Sequence, residues 1–152
     1  MIEPPVQTTS QAAEVARLHT TTQTVTVVLI TKNEERQIAR CLESVAWADE
    51  IVIVDDQSAD RTRELATHAG ATVITRRSDG DFDQQRNAGI DAASSAWILQ
   101  LDADEMVPPA LREEIQQAVR APGACVAYHI QRLNVFLGQP MRHGGWGWNG
   151  VK

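Results

Sequence analysis

Cysteine is scarce in this chain, and the two present, Cys41 and Cys125, stand far apart without metal-ligand spacing. That speaks against a disulfide framework or a cysteine-based zinc site and leaves two buried, reduced thiols as the expectation. Such usage fits a cytoplasmic location. A basic excess is also missing, because 14 Lys and Arg face 20 Asp and Glu for a formal net charge of -6. General nucleic-acid binding rests on phosphate neutralisation, so no nucleic-acid partner is expected. A small phosphate ligand stays open, since it needs only a local cation or a metal. No apolar run approaches the roughly 20 residues that span a bilayer. The N-terminus lacks the basic start and apolar core of a signal peptide. Peripheral attachment at the inner face of a membrane is compatible with all of this.

What is present is an ordinary globular mix, 43% hydrophobic and 22% charged over 152 residues, enough for one domain with a sizeable core. Residues 1–23 carry Pro4, Pro5 and many threonines and serines, and read as a mobile leader with one short helix-compatible patch. From Val25 onward, strands and helices alternate. Val25–Ile30, Ile51–Val54, Ala71–Thr75 and Trp97–Leu101 are short apolar runs suited to strands buried on both faces. Between them fall a helix opening at Asn33 or Glu34 with Ile38, Cys41, Leu42 and Val45 on its apolar face, one from Asp60 to His68, and one over Gln84–Ala93. Pro108 and Pro109 start a further helix, and Ala124–Gln131 returns as a fifth strand. This rhythm predicts an α/β, Rossmann-like fold, a mostly parallel sheet with helices on both faces. The expected division is an α/β domain over 24–131 and the start of a further segment over 132–152.

In such sheets ligands sit beyond the carboxyl ends of the strands. Here strand one runs into Thr31-Lys-Asn-Glu-Glu35, strand two into Asp55-Asp-Gln-Ser58, and strand four into Asp102-Ala-Asp-Glu105. Each alone fits a common turn former; their coincidence on one edge points to a converging site. Asp102 and Asp104 repel one another unless a cation stands beside them, and a hard ion such as Mn²⁺ or Mg²⁺ prefers such oxygens. Helix capping accounts for one acid there but not three in four positions. Asp55 and Asp56 suit a ribose hydroxyl or base N–H as well as they suit an Asx turn. Arg86, on the first turn of its helix, fits a diphosphate or plain solvation, and position alone favours solvation. His143 and Trp146, in a glycine-rich loop, suit sugar stacking or simple packing.

The runs Ile30-Thr-Lys-Asn-Glu-Glu35, Cys41-Leu-Glu-Ser44, Trp47-Ala-Asp-Glu-Ile-Val52 and Val54-Asp-Asp-Gln-Ser-Ala-Asp-Arg-Thr62 strongly resemble the family 2 glycosyltransferases. Gln85-Arg-Asn-Ala-Gly89 and Leu101-Asp-Ala-Asp-Glu105 continue the pattern in order. Phe136-Leu-Gly138 and Arg142-His-Gly-Gly-Trp146 resemble the lipopolysaccharide core glucosyltransferase-like branch. The resemblance implies an inverting transferase of GT-A fold. Its donor would be a nucleotide-diphosphate sugar, a UDP-sugar favoured, and its acceptor a glycan or lipid-linked glycan. By position it implies a nucleotide pocket of Thr31, Asn33, Glu34, Asp55, Asp56, Arg86 and Asp102. The metal would rest on Asp104 with Asp102, and the acceptor near His143 and Trp146. Asp55-Asp56 departs from the Asp-Ser common in that branch, which leaves the donor preference open. The general base is expected beyond Lys152, with the acceptor half incomplete. Apolar residues such as Val135, Phe136 and Leu137 then suggest self-association.

Two other classes compete. A nucleotidyltransferase cradles triphosphate in a glycine-rich loop after strand one, and Thr31–Gln37 contains no glycine. A haloacid-dehalogenase-type phosphatase has its Asp pair after the first strand, not the fourth. A non-catalytic nucleotide-sugar-binding remnant is the alternative of a different kind.

Overall fold

A computed structural model of the chain describes residues 23–123, 125–137 and 139–141. The elements run β1 (Val25–Thr31), α1 (Ile38–Val45), β2 (Glu50–Asp55), α2 (Thr62–His68), β3 (Thr72–Thr75), α3 (Phe82–Ala92), β4 (Trp97–Asp102) and α4 (Pro109–Arg120). Two two-residue strands follow, β5 (Val135–Phe136) and β6 (Gln139–Pro140). The first four strands form one parallel sheet in the order β3-β2-β1-β4.

That order places the helices. Parallel crossovers are right-handed. The steps β1 to β2 and β2 to β3 move across the sheet in one direction, so α1 and α2 share a face and pack together. The step β3 to β4 reverses direction, so α3 lies on the opposite face, against β1 and β2. With both faces of the central strands covered, alternation disappears: Val25, Val27, Val28 and Leu29 of β1 are all buried, as are Val52, Ile53 and Val54 of β2. Helix α1 contributes Ile38, Cys41, Leu42 and Val45, a stripe at helical spacing. Helix α3 sits close to the sheet at Gly89, where an added Cβ would lie 2.4 Å from Val28 Cγ1 and 3.2 Å from Val54 Cγ2.

At the amino end of the sheet, the buried Thr26 hydroxyl donates to Glu50 Oε2 at 2.6 Å, and Ser94 N donates to the same oxygen at 2.8 Å. These bonds hold the Glu50 carboxyl below its usual range, the Thr26 hydroxyl contributing most. They fix the turn before β4 beside β1, which sets the height of β4's far end.

Three expectations are corrected. Helix α1 begins at Ile38 rather than at Asn33 or Glu34, because Asn33 is left-handed (φ 57) and breaks the helical path. The strand expected over Ala124–Gln131 is not formed among its described residues; Val126 is 93% exposed there. A strand persists where a neighbour takes its N–H and C=O groups, and no described strand pairs with this stretch. Cys125 lies in the same stretch and is exposed, so only Cys41 is the buried thiol expected.

The chain divides into two compact units, one ending at Ala121 and one starting at Pro122. In that second unit β5 and β6 pair antiparallel, and Leu133, Val135 and Leu137 are exposed. Among the described residues no helix is long and apolar enough to cross a membrane. Of residues 1–23, expected as a leader, 1–22 lie outside those described.

Candidate functional site

The carboxyl edge of the sheet is built by two loops that interlock through side chains. After β1, Asn33 N donates to Ser58 Oγ at 2.8 Å, and its Oδ1 accepts from Ala59 N at 2.8 Å. Glu34 N donates to Thr62 Oγ1 at 2.8 Å, and Glu35 N to Asp60 Oδ2 at 3.1 Å. After β2, Asp55 is wholly buried. It accepts from Thr31 Oγ1 at 3.2 Å and Ser58 N at 2.8 Å, with Arg63 Nε 3.6 Å away. Both loops carry a left-handed non-glycine residue, Asn33 (φ 57) and Gln57 (φ 53). That conformation is costly for a side-chain-bearing residue, and these cross-loop bonds hold it in place. Thr31, Asn33 and Asp55 are thus engaged with the protein itself and fix the shape of the edge.

Asp56 is placed differently. Oδ2 accepts from Lys32 Nζ at 2.8 Å and Ser78 Oγ at 2.8 Å, and Oδ1 accepts from Ser78 N at 2.9 Å. The hydrogen bond from Lys32, and then those from Ser78, hold its carboxyl down at about 2. Its side chain retains 11% exposure. The loop that carries Ser78 is itself tied down: Arg76 N donates to Asp55 O at 3.0 Å, and Gln85 Nε2 donates to Arg76 O at 3.1 Å. Gln85 is buried, and its Oε1 has no hydrogen-bond partner among the described residues.

At the end of β4 the acidic run closes on its own backbone. Asp102 N donates to Glu105 Oε2 at 2.9 Å, and Glu105 N donates back to Asp102 O at 3.0 Å. Helix α4 has Pro108 at its N-cap, no side-chain cap bond and no acid in its first turn. Helix capping therefore does not account for this acidic run. Asp102 stands beside Ile30 of β1 in the parallel register, and Arg86 Nη2 of α3 reaches its Oδ1 at 3.7 Å while Nη1 lies 3.5 Å from Asp83 Oδ1. Asp104 is exposed. Its charge is felt nearby: the Glu34 carboxyl is raised first by its own burial, then by Asp104 and Asp60. Burial, with Glu105 and Asp104 adding, pushes the Cys41 thiol up to about 12, so that thiol stays protonated and unreactive.

Glu34 and Asp104 therefore share one electrostatic neighbourhood, and Asp102 stands beside Arg86. Among the described residues no group of three or more His, Cys, Asp or Glu is placed to hold a metal ion by itself. A divalent ion here would complete its shell with ligand oxygens, the usual habit of Mg²⁺ at phosphate sites. His143 and Trp146 lie outside the described residues. Lys32, Ser78 and Gln85 were not singled out by residue type. The one available signal was position, since Lys32 flanks a strand end and Ser78 sits in a polar loop of the same edge.

A parallel sheet with interlocked polar loops at its carboxyl edge defines an α/β, Rossmann-like protein. The fold is also that of Staphylococcus aureus TarS residues 1–349, at a TM-score of 0.58 and 19% identity over 78% of this chain and 43% of that one. The model of glycosyl transferase family 2 matches residues 26–150, and the chain belongs to that family. An uncharacterized glycosyltransferase of Rickettsia typhi is 34% identical over 117 residues, 75% of this chain and 40% of that protein. The lipopolysaccharide core biosynthesis glycosyltransferase LpsC of Rhizobium meliloti is 30% identical over 114 residues, 72% of this chain and 42% of LpsC. The chain thus spans about two fifths of the length of these relatives.

Proposed function

We propose that this chain binds the donor for a transferase that moves a sugar from a nucleotide-diphosphate sugar, a UDP-sugar, to an acceptor hydroxyl with inversion. The acceptor is a glycan or lipid-linked glycan, in lipopolysaccharide or other cell-surface glycan synthesis; the kinship with LpsC supports that setting. The enzyme would work on the cytoplasmic side, peripherally at the membrane's inner face. The observation that carries the reading is the pairing of two unlike acidic ends on one sheet edge. One is a fixed, ionised Asp56 beyond β2, and the other is Asp102 and Asp104 beyond β4, with β1 between the strands.

The base and ribose belong at Asp56, whose position Thr31, Asn33 and Asp55 set by the bonds described. Glu34 borders the pocket near Asp104. Arg86, already held over Asp102, offers a forked donor to the diphosphate. Asp104 with Asp102 would hold Mn²⁺ or Mg²⁺, and the ion, when bound, offsets charge building on the leaving diphosphate. The acceptor belongs at His143 and Trp146. The domain limits, 24–131 for the donor side and 132–152 for the start of the acceptor side, complete the reading, with self-association through the second unit's apolar residues.

Isothermal titration of UDP with and without Mn²⁺, into the parent and Asp104→Asn, tests it. Mn²⁺ should tighten UDP binding to the parent, and the variant should lose most of that gain with its melting temperature unchanged. Equal metal dependence in both would remove Asp104 from the metal site. Binding without turnover on supplied acceptors would favour a non-catalytic nucleotide-sugar-binding remnant.

A further inference from the structure

Asp56 has been given a base to bind, yet three of its acceptor positions are already filled. A carboxylate offers about four lone-pair sites. Oδ2 takes Lys32 Nζ and Ser78 Oγ, and Oδ1 takes Ser78 N, which leaves one acceptor direction, on Oδ1. Lys32 Nζ spends one of its three donors on Asp56 and keeps the others on a side chain that is 62% exposed. The rim therefore presents one acceptor on Oδ1 of a carboxylate whose other oxygen, Oδ2, is held 2.8 Å from the cationic donor Lys32 Nζ.

We propose that Lys32 is a specificity residue, reading the donor's base together with Asp56. Asp56 accepts from a ring N–H, and Lys32 donates to the exocyclic carbonyl beside it. This rests on the donor reading above and adds to it the chemistry of the base. Uracil offers that N–H and C=O pair at N3 and O4, and guanine offers it at N1 and O6. Cytosine and adenine reverse both partners, setting a ring acceptor against the carboxylate and an amino group against the ammonium. Two like-natured contacts in a partly desolvated pocket are costly, so the pair rejects as well as selects. Because Asp56 stays ionised far below neutral pH, it never becomes the donor that a cytosine N3 would need.

The test is binding of UDP, GDP, CDP and ADP to the parent, Lys32→Met and Lys32→Arg, without metal, with thermal melts of each. The parent should favour UDP or GDP over CDP and ADP, and the UDP and GDP arms show which ring size fits. Lys32→Met should weaken UDP or GDP about tenfold or more, the scale of a charge-assisted hydrogen bond, and leave CDP unchanged. Lys32→Arg should keep the preference. An undiminished preference in Lys32→Met overturns the role of Lys32. Equal loss of all four ligands and of melting temperature in both variants makes Lys32 structural and also overturns it. Equal binding of all four bases by the parent overturns base reading while leaving the donor site standing. No binding of any nucleoside diphosphate overturns the donor site itself, and this proposal with it.

Discussion

The acidic ends of β2 and β4 are one strand apart in the sheet, and they are built in opposite ways. Beyond β2 nearly every polar atom is matched: Asp55 is buried among Thr31, Ser58 and Arg63, and Asp56 is clasped by Lys32 and Ser78. Beyond β4, Asp104 is exposed, and Arg86 Nη2 lies 3.7 Å from Asp102 Oδ1. A saturated end is preorganised and keeps its shape without ligand. An open end has charge to share and gains its order when a cation or diphosphate arrives. One edge thus combines a rigid recognition wall with an adaptable anionic one, which suits a ligand with an invariant head and a charged tail.

The largest expected effect breaks the rigid end. Asp55→Ala strips the acceptor from buried donors and should destabilise the chain by about 3 kcal/mol, the scale of a broken buried charge network. Urea denaturation measures it, and a loss indistinguishable from zero would mean that the β2 end is not preorganised. Next comes the packing beneath the edge. Gly89→Ala should cost about 2 kcal/mol through overpacking against Val28, unless α3 shifts. Pairing it with Val28→Ala should recover part of that loss, and strict additivity would show that the two sites are independent.

A smaller effect concerns pH. The Asp56 carboxyl is depressed in the folded protein to about 2 from 3.8. For an acid so shifted, the stabilisation is present above the unfolded value and fades as pH falls through the folded one. The stability difference between parent and Asp56→Asn should therefore stay level from neutrality down to about pH 5 and shrink only in stronger acid. A difference that fades near neutrality would contradict the Lys32 and Ser78 bonds. The smallest effect belongs to the open end: Asp104→Asn should change stability by no more than about 0.5 kcal/mol, as exposed substitutions do. A large loss would show that β4's end is as tightly built as β2's.

Much of this was legible in the residues. The buried strands gave apolar runs at Val25 and Ile51, and α1 gave its stripe at Ile38, Cys41, Leu42 and Val45, because burial and period are local properties. The strand-end acids were visible for the same reason. The start of α1 was misplaced because a left-handed Asn33 carries no periodic signature. The strand at Ala124–Gln131 was misread because β-propensity is satisfied only by a neighbouring strand. Lys32 and Ser78 were passed over because they sit 24 and 22 residues from Asp56, a separation that no local pattern spans.

By itself, then, the sequence determined the order and type of the elements of the four-stranded sheet, the family, and which strand ends carry carboxylates, since each depends on side chains near one another along the chain. Only the tertiary structure decided which carboxylate is wholly buried as a brace and which keeps a little exposure. Asp55 and Asp56 are neighbours of one residue type. Alternation along β2 turns the first inward to Thr31 and Ser58, and the strand's end leaves the second to meet Lys32 and a loop from beyond β3.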